Sequence, residues 1–190
     1  MKPLLSESSI QMLIHQQPIS DRHPWASGDP MAVEAHLKAT CAAVSRSTRA
    51  LSRIEWNHYG SGYASFIDAW FYKRDPGFDV KKRSGYQEEH TGLVVLFSRL
   101  SPYCVFMEGE KRWDQRGTVS YMPEFDMVDR ITTPAVAKLS EEVQPVLESF
   151  GLIRVGRSEL HEPLSAGVHV ATNLATHGLS QFDALFHWED

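Results

Sequence analysis

The chain has 190 residues, 42% of them hydrophobic and 23% charged, with a formal net charge of −5. That balance excludes disorder over most of the length, and its sign is wrong for a generic nucleic-acid binder, which displays a strongly basic face. Such a chain predicts one domain at residues 29–190 behind a polar N-terminal arm at residues 1–28, long enough to bury about 70% of its unfolded surface.

In chain order, the arm holds one short apolar patch, Ile10, Met12, Leu13 and Ile14, broken up by Pro18, Pro24 and Gly28. Asp29-Pro30 then reads as a helix N-cap followed by proline at the first helical position. Val33, Leu37, Cys41, Val44, Thr48 and Leu51 recur at helical spacing, predicting an amphipathic helix of about five to six turns. Tyr63 to Tyr72 packs five aromatics into ten residues, on both sides of an alternating pattern. Two-sided burial fits an interior strand, with a helix as the alternative. Residues 73–92 are polar and glycine-containing and read as a long loop, whereas Leu93 to Leu100 is apolar and fits either a strand or a buried helix. Tyr103 to Trp113 and Thr118 to Met122 read as a hairpin joined through Asp114 to Gly117.

Thr133 and Pro134 open a second helix with the stripe Val136, Leu139, Val143, Val146, Leu147 and Phe150. Gly151 stops it, and Pro145 is expected to bend or break it. Leu152 to Val155 reads as a strand, and Phe182 to Trp188 as a C-terminal strand tied into a sheet. The fold class is therefore α+β: two long amphipathic helices packed on a mixed, mainly antiparallel β-sheet.

Tests for chemistry return little. The nine histidines, His15, His23, His36, His58, His90, His161, His169, His177 and His187, include no i, i+4 pair and no HExxH. Gly60 and Gly62 lack the third glycine and the preceding strand of a dinucleotide loop, so they read as a tight turn. Cys41 lies on an apolar helix stripe, where a thiol packs as a small hydrophobe, and Cys104 in a strand pattern, and both are expected to be free, reduced and partly buried. Glu108 and Glu110 share a strand face from which Lys111 points away, which breaks the geometry of a metal-dependent nuclease. No catalytic residue, metal or cofactor is assigned. The N-terminus lacks a signal-peptide pattern and the longest apolar run, Leu93 to Phe97, is far too short for a membrane span, so the expected location is cytoplasmic.

Residues 120–165 carry eight acids against four bases, which reads either as a solvated helix face or as an acidic surface that steers a basic partner. The stretches Thr91 to Trp113 (TGLVVLFSRLSPYCVFMEGEKRW), Asp68 to Tyr72 (DAWFY) and Phe182 to Asp190 (FDALFHWED) resemble parts of bacterial immunity proteins. These small cytoplasmic α+β proteins are encoded beside polymorphic toxins, including type VI secretion effectors. The resemblance implies a non-enzymatic protein that binds one cognate toxin and occludes its active site. The implied toxin acts in the cytoplasm, with a nuclease effector as the leading identity.

The candidate toxin-binding residues are Asp75, Asp79, Tyr86, Glu88, Glu89, Trp113, Glu124, Asp126, Glu141 and Glu142, the acids as a rim and Tyr86 and Trp113 as anchors. Trp56, Trp70 and Trp188 are assigned to the core. Neither direct nucleic-acid binding nor membrane binding is expected, and a homodimer stays open. The alternatives are a small metal-dependent enzyme acting on a nucleotide or nucleic acid through Glu108, Glu110 and nearby histidines, and a non-catalytic scaffold or regulatory subunit.

Overall fold

The structure, a computed structural model, describes residues 3–175 and 178–190. It is an α+β fold in which helices pack on a curled antiparallel sheet. The main sheet runs in spatial order β1 (Leu51–Glu55), β3 (Phe66–Tyr72), β4 (Glu88–Ser98), β5 (Tyr103–Asp114) and β6 (Gly117–Ser120), each antiparallel to its neighbour. A short β7 (Ile153–Arg154) adds parallel to the start of β5, which makes the sheet mixed. Apart from it, β2 (Tyr63–Ala64) pairs with β8 (Trp188–Glu189). The helices are α1 (Glu7–Ile14), α2 (Pro30–Thr48), α3 (Pro134–Ser149), α4 (Arg157–Leu160) and α5 (Gln181–Leu185).

Every residue of β3 is buried, as is all of β4 after Glu88. Strands covered on both faces lose the polar alternation of a half-exposed strand, which is why Phe66–Tyr72 and the Leu93–Phe97 part of β4 run nearly continuously apolar. Side-chain alternation puts Ile67, Ala69, Phe71, Leu93, Val95, Phe97 and Phe106 on one face. The stripes of α2 (Val33, Leu37, Cys41, Val44) and α3 (Val136, Leu139, Val143, Leu147) complete the core there. The second face carries Phe66, Asp68, Trp70 and Tyr72 of β3. Phe186, just after α5, closes its Phe66 end, 6.3 Å ring to ring.

Both long helices begin at the expected residues, although only Asp29 caps with its side chain and Thr133 does not. Asp29 accepts the Met31 amide at 2.9 Å, and proline follows at the first helical position of each helix. The first helix ends at Thr48 rather than running on, because Arg49 turns into the left-handed region at φ 57°. Leu51 consequently belongs to β1, where it is 44% exposed. Pro145 neither ends α3 nor splits it. It lies on the exposed side, so the hydrogen bond its missing N–H forfeits leaves a carbonyl that water can satisfy.

Three expectations need correction. The loop expected over 73–92 stops at residue 87, because Glu88 to Thr91 already pair with Glu110 to Trp113. The terminal Phe182 to Trp188 is no strand: Gln181–Leu185 is helical and only Trp188 and Glu189 extend. Asp183 starts that helix by accepting both the Ser180 amide at 2.8 Å and the Ser180 hydroxyl at 3.0 Å. All five of its residues are buried, so burial all round mimicked alternation. Residues 3–28 are also no loose polar arm. Leu5, Ile10, Leu13 and Trp25 join the core, and Gln181 accepts the Leu5 amide at 3.0 Å. Burying each such side chain contributes about 1.5–3 kcal/mol.

Gly92 and Gly109 face each other across β4 and β5. Their missing side chains leave a flat strip on the second face. The Trp70 indole crosses it and donates to the Gly109 carbonyl at 3.0 Å, while the Tyr121 ring lies against Gly109. A Cβ on Gly92 would stand 2.6 Å from both the Phe71 carbonyl oxygen and Trp70 Nε1. The Gly92→Ala variant should therefore lose about 1–3 kcal/mol in urea unfolding, and an unchanged midpoint would show that Trp70 is not held by this strip.

Candidate functional site

At the Tyr72 end the second sheet face is closed by side chains. Trp70 and Tyr72, two residues apart on β3, stack at 4.5 Å and 21°. Trp113 from β5 stands edge-on to both, at 6.0 Å and 5.8 Å. His90 from β4 tilts against Tyr72 at 5.0 Å and Trp113 at 5.8 Å. These four rings come from three adjacent strands, so the sheet itself sets their spacing.

Cations cap the rings. The exposed Arg53 on edge strand β1 lies 3.7 Å over the half-buried Trp113 ring. Lys111 sits 4.6 Å over Tyr121, and Arg116 sits 4.4 Å over Tyr86. Cation–π contacts of this kind contribute about 0.5–1 kcal/mol each at exposed sites. Solvent-facing Arg on Trp and Tyr is also the composition on which protein interfaces concentrate their binding energy.

Beneath this surface lies a buried carboxylate. Asp68 is 2% exposed, with Tyr59 donating to one oxygen at 2.8 Å and Tyr121 to the other at 2.6 Å. Burial pushes its pKa up, while nearby Lys111 and the two tyrosine hydroxyls pull the other way. Lys111 is itself drawn down by burial and partly restored by Asp68. With both oxygens occupied, Asp68 acts as a clamp joining the turn at Tyr59, the sheet and the segment at Tyr121. It is not placed as an open general base. The sequence set Asp68 down as an isolated acid among aromatics, because its partners lie 9 and 53 residues away.

The other acidic candidates are committed elsewhere. Glu108 accepts the Thr132 amide at 2.6 Å, the Thr133 amide at 2.9 Å and the Thr133 hydroxyl at 2.6 Å, at the start of α3. Burial raises its pKa, but these donors outweigh burial and the net shift is downward. Glu110 pairs with Arg112 at 2.6 Å. Among the described residues no three His, Cys, Asp or Glu side chains gather to hold a metal ion. His177 lies outside the described residues. Cys41 and Cys104 are buried, and burial pushes both thiols up to about 12.

The candidate toxin-binding residues do not form one patch. Tyr86, Glu88 and Trp113 belong to the aromatic–cation face, with Glu88 bonded to His90 at 2.8 Å and paired to Arg74 at 3.2 Å. Asp75 caps the turn Pro76–Phe78 through the Gly77 amide, and Asp79 pairs with Arg83. Glu89 corrects the expectation of an exposed loop acid. It is 1% exposed on β4 and takes the Ser84 and Tyr86 amides. Asp126 pairs with Arg157 at 2.6 Å and Glu142 with Lys73 at 3.1 Å. Glu124 stands before the turn Phe125–Met127, and Glu141 is exposed on α3.

Arg53 was missed in the sequence because nothing local marks an arginine that stacks on an aromatic from three strands away in the sheet. Of the tryptophans assigned to the core, Trp70 is fully buried, whereas Trp56 and Trp188 are half-buried at its edge. No helix of the described residues is long and apolar enough to cross a membrane. No family model, curated protein or solved structure matches the chain, so the site is read from its own geometry.

Two stability measurements probe this region. Tyr121→Phe leaves one oxygen of a buried carboxylate without its donor and should cost about 1–3 kcal/mol. An unaltered urea midpoint would rule out the clamp. Glu108 has a folded pKa below its ordinary 4.5. Its contribution is therefore complete above the unfolded value and lost as pH falls through the lower folded value. Glu108→Gln should accordingly be destabilising at pH 7, with a deficit that shrinks as the pH falls below 4.5, and a deficit independent of pH would contradict this reading.

Proposed function

We propose that this chain is a bacterial immunity protein, a non-enzymatic inhibitor that binds a cognate toxin acting in the cytoplasm and blocks its active site. A nuclease effector is the leading partner. Three stretches of the chain, Thr91 to Trp113, Asp68 to Tyr72 and Phe182 to Asp190, resemble parts of such proteins, and the α+β architecture agrees with theirs.

The observation that carries the binding reading is Arg53 stacked on the half-buried Trp113 at 3.7 Å, on a sheet end capped by side chains. Desolvating a pre-stacked Arg–Trp pair gives an interface a rigid anchor that loses little rotamer freedom on docking. Most of the acids assigned to a rim are already paired with the protein's own cations. Their part in binding a basic partner is therefore to steer the encounter. The enzymatic alternative is weakened by Glu108, whose oxygens are taken up in starting α3.

The test is co-expression with the product of the neighbouring gene, reading growth rescue and complex formation. Wild-type protein should restore growth and co-purify with the toxin. Arg53→Glu and Trp113→Ala should each weaken the complex by about thirtyfold or more, the effect of an interface hot spot, with urea midpoints confirming that both variants fold. A scaffold with some other partner would give neither toxicity nor rescue in this assay. A complex that tolerates both substitutions would remove this face from the interface.

A further inference from the structure

The opposite end of β3 carries a separate site. A cleft of about 280 Å³ opens between the start of α2, the turn at His58 and the chain leaving β4 at Arg99. That volume sits just below the range of drug-sized ligand pockets and matches a small metabolite. Val33, Ile67 and Leu100 supply apolar wall, and Glu34, His58 and Arg99 supply polar groups.

Arg99 is held rigidly. Its backbone amide donates to Ser65, its Nη2 donates to the Trp56 carbonyl at 2.6 Å, and its Nε donates to the Phe66 carbonyl at 3.3 Å. The remaining nitrogen, Nη1, faces Glu34 Oε2 at 3.8 Å, beyond hydrogen-bond distance. The other Glu34 oxygen is occupied by Lys38 Nζ at 2.6 Å. Arg99 and Glu34 thus form a loose ion pair on the wall of the cleft, without a direct hydrogen bond and each with bonding capacity left. His58 adds a donor. Its Nδ1 accepts the Ala64 amide at 2.9 Å, which puts the ring proton on Nε2. Burial and the charge of Arg99 lower its pKa and keep the ring neutral.

A simple carboxylate entering here would meet Glu34, and a simple amine would meet Arg99. A molecule carrying both charged groups on one carbon satisfies the two together, and the apolar wall takes a short hydrocarbon chain. We propose that this cleft binds a free α-amino acid with a compact apolar side chain, its carboxylate on Arg99 and His58 and its ammonium on Glu34.

The full chain, labelled with nitrogen-15, is titrated with leucine, with 4-methylpentanoate (which lacks the ammonium) and with 3-methylbutylamine (which lacks the carboxylate). Leucine should move the Arg99 Nε–H and Ala64 amide signals and saturate. The acid and the amine should each bind about tenfold more weakly or worse. Glu34→Gln, at a half-buried position outside the core, should remove the preference for leucine over the acid while leaving the spectrum folded. No shift with leucine, or binding of the acid as tight as that of leucine, or a preference unchanged in Glu34→Gln, would each overturn the assignment. None of these readouts depends on a toxin, so the result stands apart from the immunity reading.

Discussion

Much of this molecule is organised around a strip of sheet without side chains. Gly92 and Gly109 oppose each other on β4 and β5, and the space they leave is filled from the neighbouring strand and from beyond β6. Trp70 lies across it to reach the Gly109 carbonyl, and Tyr121 lies on Gly109 and reaches Asp68. A buried carboxylate in the middle of an apolar strand is costly unless both its oxygens are bonded. The glycine strip lets one of the two required tyrosines approach. Packing and polar satisfaction are here a single constraint.

That arrangement divides the second sheet face. Toward Phe66, α5 and the terminal β8 close it with apolar rings. Toward Tyr72, the rings of Trp70, Tyr72, His90 and Trp113 are closed by cations, and Arg53 stays in contact with water. Long cationic side chains can cover aromatic surface while keeping their charge solvated. The result is a face that is stable uncovered, yet composed of the residue types that give interfaces their energy. The cleft at Arg99 lies at the other end of β3, so a small ligand there and a protein on the Trp113 face would not compete for the same atoms.

The acids illustrate how a charge count misleads. Eight acids against four bases over 120–165 look like a negative surface. In the fold, Asp129 pairs with Arg154, Asp126 with Arg157 and Glu142 with Lys73 from outside that segment. Pairing of this kind lowers the local field and is itself worth little to stability when exposed. Glu89 departs furthest from its expected place. It sits in a polar, charged stretch, and the next residues of β4 draw it inside, where it holds the turn at Ser84 to Tyr86.

The sequence by itself determined the α+β class, both long helices and their proline starts, and the β5–β6 hairpin. Each of these depends on neighbours within a turn or a strand: a cap, a spacing of three or four, an alternation. It left the strand or helix choice at Leu93 to Leu100 open and misread Phe182 to Leu185, since burial on all sides erases the periodicity that separates the two states. The candidate face was legible only in part, through Tyr86, Glu88 and Trp113. The tertiary structure alone decided that Asp68 meets Tyr59 and Tyr121, that Arg53 covers Trp113, and that Arg99 confronts Glu34. These contacts join residues distant along the chain, and their geometry is set by strand register, which no local pattern encodes.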